Sequence, residues 1–263
     1  MAHLGRAEQW WWWTVGALLI LFAVSLVASW IDVRTIDRES VWAKPLKFEV
    51  SLALHFATLA FIMGLLDEPA RASSWLRYIA IASAACTAFE MAYIIIQAAR
   101  QQASHFNLST PFLFWMYVMM AGGAVVITMS AFAVGWAAIT DGQGLNPALR
   151  IGIAVGLIGG SILTLITAFR MGGALNHHVG SETEAALRMP ITGWSLTVGD
   201  RRVPHFFATH MMQSVPAFAA VVSHALRPTF AIVCVVVFAI LWVVTTLFFF
   251  SQANAGWPLQ RFR

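Results

Sequence analysis

Apolar runs of about twenty residues return from one end of this chain to the other, separated by short polar breaks. Such a run crosses the hydrocarbon of a bilayer as a helix, because no water is there to satisfy the backbone of an open form. The runs lie at 10–31, 46–66, 75–99, 111–139, 147–170, 203–226 and 229–250. They predict an all-α protein, an integral membrane bundle of seven transmembrane helices forming a single domain over 1–263. The longest break, 171–202, is expected to fold as a cap, with a short helix over Ser181–Met189 started by a capping box from Ser181 to Glu184.

Only 11% of the residues are charged, against roughly 25% in soluble domains, so no separate soluble domain is expected. Seven spans put the termini on opposite faces. The N-terminal face then holds Arg6, Arg71, Arg77, Arg150 and Arg227, and the C-terminal face holds the other eleven of the 16 basic residues. The positive-inside rule places the C-terminus in the cytoplasm and the N-terminus outside, in the cell inner (plasma) membrane. No basic run is interleaved with aromatics, which excludes nucleic acid as a partner. The expected partners are the lipid bilayer, an apolar or anionic small molecule, and a homo-oligomer or membrane complex. Trp10 to Trp13 reads as an aromatic belt at the bilayer surface.

Ionisable residues inside apolar spans are costly and mark function by default. The third span carries Ser83, Thr87, Glu90, Tyr93, Gln97 and Arg100 at steps of four, three, three, four and three. That period gives the helix one polar face turned to the bundle interior, with Glu90 as its key member and Tyr93 one turn away. On the second span Lys47, Ser51 and His55 recur every four residues as a polar stripe, and Pro45 signals the helix start. The sixth span, VPHFFATHMMQSVPAFAAVVSHAL, carries His205, His210, Gln213 and His224. On the fifth, Gly152, Gly156 and Gly160 form a small-residue stripe suited to close helix packing.

Counting from the span ends at a rise of about 1.5 Å per residue puts His55, Glu90 and His210 at one level, about 10–14 Å below the C-terminal face. Two imidazoles and a carboxylate suit a transition metal (Zn, Fe or Cu), and two imidazoles on different helices suit haem b. Lys47, Arg201 and Arg202 near the surface suit haem propionates or another anion, and Gln213 lies on the His210 face. Glu90, Ser51 and Tyr93 are the candidates for chemistry. The readings left open are redox or sensing work at haem or a metal, a zinc-dependent membrane hydrolase, a non-catalytic subunit of a membrane complex, and a proton-coupled transporter with Glu90 carrying the proton.

Ser51-x-x-x-His55 resembles the Ser/His pattern of the alkaline ceramidase and adiponectin-receptor superfamily, whose seven-helix proteins hold zinc. That likeness implies a hydrolase. This chain departs from the pattern in having Glu90 as the third-span acid and no His on its last span. NHHVGSETEAA (Asn176–Ala186) is similar to a stretch of subunit III of haem-copper oxidases, which implies a subunit role. WAKPLKF, SHFN and GWSLTVGDRRVPHFFATH together look like segments of bacterial multi-pass membrane proteins, a likeness that implies the fold and no activity.

Overall fold

The computed structural model describes residues 5–183 and 186–259. Among them the chain forms eight α-helices and two small two-stranded sheets. It falls into two compact units, Met1–Leu145 and Asn146–Arg263.

The first unit holds α1 (Ala7–Ile31), a hairpin of β1 (Thr35–Ile36) and β2 (Glu39–Ser40), α2 (Ala43–Leu65), the short α3 (Glu68–Arg71), α4 (Ser74–Ala99) and α5 (Pro111–Asp141). The α2 helix starts three residues before the expected 46. Pro45 therefore lies inside its first turn, where a missing N–H still costs no helical bond. Pro111 opens α5 at the first helical position, and the Thr110 hydroxyl accepts from the Leu113 amide at 3.3 Å. The hairpin turns on Asp37 and Arg38, both with positive φ, which is the backbone a two-residue turn of matching twist requires. Helices α1, α2, α4 and α5 pack on one another. Of the four tryptophans at 10–13, Trp12 and Trp13 are exposed, as a belt would be, but Trp11 is fully buried. Its indole N–H donates to Ser83 Oγ at 3.1 Å, tying α1 to α4.

The second unit holds α6 (Pro147–Gly173), β3 (His178–Val179) paired with β4 (Gly199–Asp200), α7 (Arg202–Ala225) and α8 (Pro228–Asn254). The glycine stripe on α6 serves helix packing. A Cβ on Gly156 would stand 2.6 Å from the Pro216 ring, and one on Gly152 would strike the Ala219 methyl. These contacts let the α6 and α7 backbones approach closely over a core of Ala208, Met211, Val215, Ala219 and Val235. Much of the surface of α8 is exposed and apolar, including Ile240, Leu241, Val244 and Leu247, as suits contact with lipid tails.

Six helices, α1, α2, α4, α5, α6 and α8, are long and apolar enough to cross a bilayer, the pattern of a multi-pass membrane protein. The seventh expected span, α7, has the length but is less apolar than the rest. The helix expected over Ser181–Met189 is not formed by its described residues: Arg188 instead bridges Ser195, and the Met189 amide donates to Trp194 O at 2.8 Å. Glu184, the far end of the expected capping box, lies outside the described residues.

Candidate functional site

The polar stripe of α4 is buried throughout its length within the membrane span: Ser83, Thr87, Glu90, Tyr93 and Gln97 all face inward. The period of the polar residues put them on one helix face, and the packing of α1, α2 and α5 covers that face. Glu90 is 3% exposed and its Oε1 has no hydrogen-bond partner among the described residues. The carboxyl leans on the bare backbone of Gly123 in α5, where a Cβ would come within 2.9 Å of Oε1. The charge of Lys44, in the first turn of α2, acts on it. Lys44 also lies 5.8 Å above the Phe48 ring. His105, from the loop after α4, sits among the rings of Phe48, Phe106 and Tyr117. Burial first, and then the charge of Lys44, hold its imidazole well below the ordinary histidine value.

The two lysines of WAKPLKF thus do different things. Lys47 turns outward and donates to Glu39 Oε2 of the hairpin at 2.6 Å, with more than a third of its side chain exposed. Lys44 is the one whose charge acts on Glu90. A second buried acid, Glu49, is 0% exposed and accepts from Ser25 Oγ at 2.7 Å, while its Oε2 has no partner among the described residues. Neither Lys44 nor Glu49 is among the candidate residues that the sequence singles out. Glu49 was open to detection, since an acid inside an apolar run stands out as Glu90 does.

His55 is buried, and its Nε2 lies 3.4 Å from Ser130 Oγ on α5. Ser130 gives its only proton to Ile127 O at 2.6 Å, so the imidazole is the donor in this contact. That arrangement does not activate a hydroxyl. Ser51 forms no hydrogen bond with His55 among the described residues. The equal-depth expectation also changes here. Glu90 meets α5 at Gly123 and His55 meets it at Ser130, seven residues or about 10 Å further along the helix.

In the second unit His210 Nδ1 pairs with Gln213 Oε1 at 3.1 Å, and its ring is 4.2 Å from that of Phe206. His205 Nδ1 meets Thr167 Oγ1 at 3.0 Å, and His224 is exposed beside Ala220 O. Among the described residues no three His, Cys, Asp or Glu side chains gather as metal ligands would. Each imidazole has a local partner of its own.

The chain before α7 is fastened by Asp200, which is 3% exposed. It accepts from the Ser195 amide at 2.9 Å and from Arg202 Nη2 at 2.6 Å, and His178 Nε2 lies 3.6 Å away. Arg202 also donates to Gly193 O at 2.7 Å, while Arg188 closes on Glu182 at 2.6 Å. Burial would raise the Asp200 carboxyl, but the contacts from His178 and Arg202 and the Arg202 charge hold it well below the usual carboxylate range. Burial, then the charges of Arg202 and His178, push the neighbouring His177 down to about 3. Arg202 is thereby committed to an acid inside the fold. Arg201 is not: it bonds Asn254 Oδ1 and Asn176 O.

Comparison with protein families, with curated proteins and with solved structures finds no match for the chain.

Proposed function

We propose that this multi-pass membrane protein does proton-coupled work, with Glu90 as the group that takes up and releases the proton. The observation that carries the reading is the Glu90 carboxyl itself, buried at membrane depth with an unpartnered oxygen and Lys44 as the charge acting on it. An isolated carboxylate there is costly, so its charge state is tied either to a proton or to the ammonium. The stripe extends the path. Thr87 lies one turn deeper, and Tyr93 and Gln97 lead toward Arg100 at the helix end, spaced as a chain of donors and acceptors.

Several features support the topology proposed with it. Helix α7 is read as a seventh span shielded by α6 and α8, which cover its apolar face with Ala208, Met211, Val215 and Ala219 buried. With seven spans, the greater share of basic residues on the C-terminal face supports a cytoplasmic C-terminus. The haem, metal and zinc-hydrolase readings rest on His55, Glu90 and His210 acting together, and among the described residues no cluster of metal-ligand side chains supports them.

The test is proton uptake into vesicles of the reconstituted protein, followed with an internal pH dye under an imposed gradient. Wild type carries protons, and Glu90→Gln, which keeps the shape and removes the titration, abolishes uptake. An unchanged rate in Glu90→Gln contradicts the proposal.

A further inference from the structure

Three helix ends of the second unit meet at Asn254. Arg170, in the last turn of α6, donates from Nε to Asn254 Oδ1 at 3.0 Å. Arg201, the residue immediately before α7, donates from Nε to the same oxygen at 3.1 Å. Asn254 is the last residue of α8, and its own amide group is oriented by donation to Phe250 O at 2.8 Å. Two guanidinium ions therefore share one neutral acceptor.

The arrangement lacks a counter-charge. Among the described residues neither arginine forms an ion pair, and the nearby acids are committed elsewhere, Asp200 to Arg202 and Glu182 to Arg188. Arg201 is 8% exposed, and burial together with the Arg170 charge weighs against its own ionisation. A buried guanidinium held beside a second positive charge is unfavourable unless something neutral or negative is added. Arg201 uses Nε and Nη1 on protein oxygens and Arg170 uses Nε, which leaves terminal N–H donors on both forks for a ligand.

We propose that Arg170 and Arg201, spaced by Asn254, form a binding site for a phosphate-type oxyanion, with an anionic phospholipid headgroup as its source. The planar forks match a phosphate in two-point contact. The site stands at the ends of α6 and α8, both long and apolar enough to cross a bilayer, where basic pockets between helices take anionic headgroups. Phe169 and Trp257, both exposed and adjacent in sequence to these ends, are residues of the interfacial kind. This inference is independent of any role for Glu90.

The experiment uses the full-length protein in neutral detergent, with binding read by native mass spectrometry and by melting temperature. The probes are phosphatidylglycerol, phosphatidylcholine and inorganic phosphate. Phosphatidylglycerol should bind and raise the melting temperature, and phosphatidylcholine should not. Arg170→Gln, at an exposed position, should keep the fold and weaken phosphatidylglycerol about tenfold, as loss of one charge-assisted contact does. Arg34→Gln, in the other unit, should leave binding unchanged. Competition by inorganic phosphate would assign the same site to a soluble phosphate compound, and its absence to lipid. Equal binding of the two lipids, or full binding by Arg170→Gln, would overturn the proposal.

Discussion

Glu90 and Gly123 share one space: the carboxyl of α4 fills the position where a side chain on α5 would begin, with 2.9 Å between Oε1 and a Cβ at 123. Glycine there is a condition for seating the acid between the helices. Gly123→Ala should push the carboxyl aside at a cost of about 1 kcal/mol, the low end for overpacking, since the displaced atom ends a flexible side chain. In a Glu90→Ala background the same change should cost nothing. Melting of the single and double variants in detergent measures the coupling, and additive effects would show that the two residues do not meet.

Trp11 and Trp13 stand two residues apart and should respond differently. Trp11→Phe removes the donor to Ser83 from a buried site and should cost about 1 kcal/mol or more. Trp13→Phe, at an exposed position, should stay within about 0.5 kcal/mol of wild type. Thermal unfolding of the two variants makes the comparison.

The α6–α7 contact predicts a graded glycine series. Gly156→Val meets the Pro216 ring and should destabilise by about 1–3 kcal/mol, whereas Gly64→Ala has open space and should be neutral or slightly stabilising. Equal melting temperatures for the two would contradict the close approach of these helices.

The segment around Asp200 should loosen in acid in two stages, each with its own sign. His177 is held neutral in the fold, where its value falls to about 3, against about 6.5 in an unfolded chain. The unfolded chain therefore gains the proton first, and stability declines as pH drops from about 6.5 toward 3. The Asp200 carboxyl is depressed by folding, so its contribution is complete above about pH 4 and is lost as pH falls through its lower folded value. His177→Gln should remove the first stage and Asp200→Asn the second. Amide exchange across 176–202, followed from about pH 7 down to about pH 2, reads both, and a profile unchanged by either variant would contradict the assignment.

The helices were legible in the sequence because apolar length and period decide them. The expected 111–139 is α5 at Pro111–Asp141, and 229–250 is α8 at Pro228–Asn254. The buried face of α4 was legible for the same reason, since six polar residues on one period leave one way to turn. What escaped depends on contacts between distant residues. Lys44 and Lys47 are three apart on one helix face, and the pairing of Lys47 with the hairpin acid Glu39 that tells them apart is made by tertiary contact. The hairpin itself has no glycine at Asp37–Arg38 to announce it. Arg201 and Arg202 are adjacent and looked equivalent, but Asp200 claims one and Asn254 the other. The equal depth of His55 and Glu90 failed partly because α2 starts at Ala43, which sets His55 deeper from its helix end.

Infrared difference spectroscopy of the reconstituted protein across a pH step tests the protonation of Glu90 most directly. The carboxylic acid C=O band should change with pH in wild type and in Glu49→Gln, and that change should vanish in Glu90→Gln. A band that responds to pH equally in Glu90→Gln would contradict the assignment of Glu90 as the group that carries the proton.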